Sequence, residues 1–83
     1  MTYTLDEKNQ KTPWIENAQR AQIQLAPLGS YNCEVFIGEV VNEDLPMPKL
    51  VFESNTCDTL DLSAYRWARF VLVTGPRARV TVV

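Results

Sequence analysis

Residues 60–83 read LDLSAYRWARFVLVTGPRARVTVV, and the way this stretch is read decides the fold. It is the most apolar part of the chain. It carries four arginines (Arg66, Arg69, Arg77 and Arg79) and no acid after Asp61. In an extended strand, successive side chains point to opposite faces. Tyr65, Trp67, Arg69, Val71 and Val73 fall on one face, and Arg66, Ala68, Phe70, Leu72 and Thr74 on the other. Toward Thr74 both faces are apolar, as in a strand covered on both sides. The turn Gly75-Pro76-Arg77 leads to a second strand, with Val80 and Val82 on one side and Arg79, Thr81 and Val83 on the other. The prediction is a central hairpin held in a sheet to Val83. A small domain has one core to cover one face of it, so the N-terminal segment or a partner covers the second.

Working back along the chain, the period-two pattern recurs. Ala21, Ile23 and Leu25 alternate with Gln22 and Gln24, which favours a strand over a helix. Tyr31, Cys33, Val35 and Ile37 alternate with Asn32, Glu34, Phe36 and Gly38, and Gly38 reads as a bulge or bend. Met47 lies between Pro46 and Pro48 in an extended loop. KLVFES (49–54) gives a short strand with Leu50 and Phe52 on one face, and Leu60 and Leu62 point inward from the next. With TYTL (2–5) and PWIE (13–16), this makes about six to eight short strands. The expected fold is all-β: a small antiparallel β-sandwich or jelly-roll-like barrel. It forms one domain over residues 1–83, with an extended N-terminal arm over about residues 1–13.

Charge is unevenly placed. The net charge is −2, which argues against nucleic acid as a partner. From Glu34 to Asp61 seven acids (Glu34, Glu39, Glu43, Asp44, Glu53, Asp58 and Asp61) stand against Lys49 alone. Two readings fit: pairing with the arginines of neighbouring strands, or complementary surfaces on adjacent subunits. The opening MTYTLDEKNQKTPW has no basic stretch followed by an apolar one, and no apolar run is long enough to span a bilayer. The expectation is synthesis in the cytoplasm and no membrane partner.

The residues that carry chemistry are few. The chain has no histidine, which removes the usual general base, the Ser-His and Cys-His pairs and histidine-based zinc sites. Cys33 and Cys57 are too few for a disulfide scaffold or a zinc site, and read best as buried free thiols. Three glycines build no phosphate-cradling loop. Asp58 and Asp61 would lie on opposite faces of a strand and not converge as acid and base. No catalytic, metal-binding or cofactor-binding residue is expected, and the chain does not read as an enzyme. The aromatic residues carry more information. Trp67 and Tyr65 would share a face that Trp14 and Tyr31 could join across the sheet. They are either core or interface anchors or a platform that stacks sugars. As anchors, the candidate interface is Trp14, Tyr65, Trp67, Arg69, Val71 and Val73, with Met47 on the loop, and Arg69 either crosses the interface or pairs with one of the acids.

TLDLSAYRWARFVLVTGPRARVTVV (59–83) resembles the closing strands of small jelly-roll modules, in which a DLS-x-Y step leads into a long strand and a final hairpin. Such modules include carbohydrate-binding domains and the decoration (cement) proteins of tailed-phage capsids. The resemblance covers about a third of the chain and lies in pattern, so it carries no site residue across. The short chain without catalytic groups looks more like a decoration protein. That likeness implies a structural subunit of a virion, seated among neighbouring copies, often as a trimer, on a capsid shell.

Overall fold

The computed structural model describes residues 1–26, 29–41, 49–53 and 57–83, and for 49–53, 57 and 58 the backbone alone. The chain is all-β. Its strands are β1 (Thr2–Leu5), β2 (Ile15–Glu16), β3 (Arg20–Leu25), β4 (Ser30–Phe36), β5 (Lys49–Glu53), β6 (Cys57–Asp61), β7 (Trp67–Thr74) and β8 (Ala78–Val82). They form two four-stranded antiparallel sheets, ordered β1-β8-β3-β6 and β2-β7-β4-β5.

The pairings are nested: β4 with β5, β3 with β6, β2 with β7, β1 with β8. The chain is thus one long hairpin centred between β4 and β5. Rolling it up adds the β3–β8 and β4–β7 contacts and splits it into two facing layers. That is the strand order of a jelly roll. It fits into 83 residues because the strands are short and several connections are turns of a few residues. One such turn, between β7 and β8, holds Gly75 at φ +96°; a Cβ there would come within 2.8 Å of the Gly29 backbone, so the two glycines let two turns pack together.

The core lies between the layers. The first sheet supplies Leu5, Ala21, Ile23, Leu25, Ala78, Val80 and Val82; the second supplies Tyr31, Cys33, Val35, Ala68, Phe70 and Leu72. Leu62, just past β6, is fully buried beside them. The apolar sets read for β3 and β8 are those that face the core, and in β7 it is the Ala68, Phe70 and Leu72 face that does so. The backbone of Val83 is held as expected: its N–H donates to the Arg20 carbonyl, and its carbonyl accepts from Gln19 N–H, each at 2.9 Å.

One local expectation is corrected: Ile37 is not on the core face, because β4 ends at Phe36, and its side chain is exposed. The bend expected at Gly38 is present just past β4. A register shift lies at the strand's other end, between Ser30 and Tyr31, where Ser30 Oγ and Thr74 Oγ1 lie 2.7 Å apart. Residues 1–13, the expected arm, lie along both sheets of their own chain, with a turn from Glu7 to Gln10 between the two. Thr2–Leu5 is the edge strand β1. Asn9 N–H donates to the Leu72 carbonyl, Leu72 N–H to Gln10, and Thr12 N–H to Phe70. The Thr12 hydroxyl oxygen then accepts from Phe70 N–H at 3.0 Å, standing in for a backbone carbonyl. This segment continues the edge begun by β2, with Asn9 and Asn17 at positive φ as its bends.

Candidate functional site

The outer face of the second sheet gathers most of the side chains singled out in the sequence. In β7, Ala68, Phe70 and Leu72 enter the core, which turns Trp67, Arg69, Val71 and Val73 outward. In β4 the matching outward set is Asn32, Glu34 and Phe36. The register sets Phe36 opposite Trp67, Glu34 opposite Arg69 and Asn32 opposite Val71. Directly opposed residues on one face of an antiparallel pair are in contact range. Arg69 and Glu34 therefore meet, and both Arg69 Nε (2.9 Å) and Nη2 (2.7 Å) reach Glu34 Oε1. Of the two readings of the charge pattern, this is the internal one. Arg66 likewise pairs within the chain at 2.9 Å, but with Glu16, which lies outside the acidic stretch.

Trp14 completes the group. The peptide run from Lys11, bridged to Val71, to Ile15, paired with Ala68, carries it over β7. The Arg69 guanidinium carbon lies 4.4 Å from the centre of the Trp14 ring, a cation–π stack. With tryptophan on its face and glutamate at its edge, the guanidinium is largely removed from water, and Glu34 is only 5% exposed. Val71 is buried as well. The outer face is thus dry at mid-sheet although no second layer of strands covers it among the described residues, as the two-sided pattern of 65–74 predicted. The cover on this part is the chain's own N-terminal segment.

At the far end of the face the cover stops. Trp67 is half-buried, its indole N–H aimed at the Glu39 carbonyl at 3.4 Å. Beside it the chain bends after Phe36 at Gly38, where a Cβ would come within 2.9 Å of the Phe36 ring. Past this bend Ile37 and Val40 are 76% and 74% exposed. Phe36 and Trp67 thus end the outer face in an apolar pair, and the exposed Ile37 and Val40 follow directly in the chain.

The aromatic platform, the alternative reading of the sequence, is not assembled from all four of its residues. Tyr31 is fully buried on the core side of β4, its ring 6.3 Å from Phe70 and on the opposite side of the sheet from Trp67. Tyr65 precedes β7 in a turn closed by Tyr65 N–H to the Leu62 carbonyl, so the strand alternation does not reach it and it packs on the core. Trp14, Trp67, Arg69, Val71 and Val73 do share the outer face. Met47 lies outside the described residues.

Cys33 is buried without a disulfide, and burial, reinforced by the Glu34 charge, pushes its thiol up to about 12. Such a thiol stays protonated and is a poor nucleophile at neutral pH. Asp61 sits at the other extreme of exposure. Hydrogen bonds from the Ser63 hydroxyl and N–H hold its carboxyl below the usual 3.8, with Arg20 helping. Among the described residues, no group of three or more His, Cys, Asp or Glu side chains could hold a metal ion. No helix among the described residues is long and apolar enough to cross a membrane. No family model, curated protein or solved structure matches the chain.

Proposed function

We propose that this chain is a non-enzymatic structural subunit that works by protein–protein contact, and that the assembly it serves is a virion, as a decoration protein on a phage capsid shell. The observation that carries the first part is the apolar end of the second sheet, where Phe36 stands opposite Trp67 and the chain just past the bend exposes Ile37 and Val40. Aromatic and aliphatic side chains grouped in this way are typical of interface anchors. The second part rests on the resemblance of residues 59–83 to decoration proteins and on the jelly-roll strand order, which agrees with it. Neighbouring copies around a capsid symmetry axis are the natural partners in that setting. A sugar-stacking role has less to rest on, because Tyr31 and Tyr65 are directed to the core and the Trp14 ring is occupied by Arg69.

The test is sedimentation of lysate from the producing cells, followed with an antibody to the chain. The expected result is a peak with capsid-sized particles that Ile37→Glu with Val40→Glu abolishes while the purified double variant stays folded. Recovery of the wild-type chain only as free 9.5 kDa protein, with Trp67 open to acrylamide quenching, overturns the reading.

A further inference from the structure

The structure assigns a second contact surface, independent of the apolar end of the second sheet: the free edge of β1, which pairs with the same edge of another copy of this chain. The argument begins with hydrogen-bond direction. Met1 and Val82 exchange both backbone bonds, Met1 N to the Val82 carbonyl at 3.0 Å and Val82 N–H to the Met1 carbonyl at 2.8 Å. In an antiparallel ladder such pairs alternate with pairs that exchange none. Tyr3 with Val80 and Leu5 with Ala78 are therefore the next bonded pairs. The N–H and C=O of Thr2 and Thr4 point the other way, out of the sheet.

Open edges invite pairing, and folded proteins guard them with charged residues, prolines, bulges or very short strands. Three of the four edges here carry charged residues, whereas β1 has only its shortness. The edge from Asn9 to Glu16 carries Lys11, Pro13 and Glu16 and is broken in its middle. The β5 edge has Lys49 and Glu53 in its sequence, and the β6 edge Asp58 and Asp61. Thr2-Tyr3-Thr4-Leu5 has no charge and no proline, and its pairing with β8 is regular throughout.

A second copy of the same edge fits it in one register. Antiparallel pairing about a twofold axis at Tyr3 sets Thr2 against the partner's Thr4, and Thr4 against the partner's Thr2. All four outward backbone groups on each copy are then bonded. Tyr3 meets its own mate in a non-bonded pair, the closer kind, on the core side of the sheet. A twofold contact of this type is self-complementary and closes at two copies. It joins the two first sheets into one of eight strands, with Thr2, Thr4, Thr81 and Gln22 continuing a polar outer face across the seam.

Because so short an edge buries less than the roughly 1,200 Å² of a lasting interface, the dimer is weak and is read at up to about 1 mM protein by sedimentation equilibrium. The expected result is reversible association to twice the 9.5 kDa chain mass. Thr4→Pro is the decisive variant, because the N–H it removes points away from β8 and the fold's own ladder is untouched. It is expected to weaken association at least tenfold with the far-ultraviolet spectrum unchanged. Thr2→Lys with Thr4→Lys, which places like charges opposite each other across the seam, does the same by another route. A disulfide-linked dimer from Tyr3→Cys in a Cys57→Ser background reads the register directly. A wild-type chain monomeric at the highest concentration overturns the proposal, and so does a dimer indifferent to both edge variants.

Discussion

The two sheets are built from the same number of strands, yet their outer faces have opposite characters. In the first sheet, β3 alternates perfectly between buried and exposed, with Ala21, Ile23 and Leu25 inside and Arg20, Gln22 and Gln24 in water. In the second, β4 is buried on both sides for much of its length: Cys33 faces the core at 0% exposure, while its neighbour Glu34 faces outward at 5%. The difference teaches that burial in a sandwich is set by neighbours as well as by layer. Residues 9–16 lie along the second sheet and carry Trp14 over it, so one edge segment dries a face that would otherwise be solvated.

The comparison can be broken hardest from the inside. Phe70→Ala empties a fully buried site against Tyr31 and is expected to cost about 3–5 kcal/mol, enough to unfold much of so small a domain. A urea titration that moves by less than 1 kcal/mol, about the cost of a single methylene, would show the core to be elsewhere. Next comes the outer face of the second sheet. Arg69→Met takes both arginine bonds away from a carboxylate that is only 5% exposed, for a loss of about 3 kcal/mol, whereas Arg69→Met combined with Glu34→Leu recovers most of it. Equal losses from the single and the double variant would mean the face is wetter than its geometry.

Alkaline pH probes the inner side of the same strand. The folded state holds the Cys33 thiol near 12 against 9.0 in the ordinary case, so the unfolded chain ionises first. Stability from this group is complete below pH 9 and declines as the pH rises toward 12. In a Cys57→Ser background the native thiol should ignore thiol reagents until urea exposes it; rapid labelling of the folded protein would contradict the burial. Trp14→Leu should have a smaller effect, about 1 kcal/mol, with faster amide exchange at Asn9 and Thr12 as the segment loosens. The smallest effect belongs to the first sheet's exposed rim. Asp61 is held below its usual 3.8, so its contribution is present above that pH and is lost as the pH falls through the folded value. Asp61→Asn should therefore differ slightly from wild type near neutrality and not at all in strong acid, as followed by thermal melts.

Much of this was legible in the sequence, where period-two patterning identifies strands and their inward faces. The two-sided character of the strand read over 65–74 and the inward sets of β3 and β8 followed from alternation, and pairing with an acid was one of the two readings open for Arg69. Alternation fails where a strand ends, and it carries no marker of the end. Tyr65 and Ile37 were each assigned a face by extending a pattern past the residue at which the backbone turns, at Leu62–Tyr65 in one case and after Phe36 in the other. Tyr31 was misjudged by favouring its ring chemistry over its parity with Cys33 and Val35. The stack of Trp14 on Arg69 had no local signal at all. It depends on which strand residues 9–16 run beside, a fact of topology.

The nested pairing also sets the order in which the protein can be made. β8 lies inside the first sheet, between β1 and β3, yet it is the last strand of the domain to be synthesised. Met1 cannot bond to Val82 until 81 residues of separation have been closed. Contacts this distant in sequence make for slow folding. Until β8 arrives, β1 and β3 have edges and inner faces but nothing between them. A chain truncated before Ala78 and released should therefore expose apolar surface in its first sheet while β4 and β7 are free to pair.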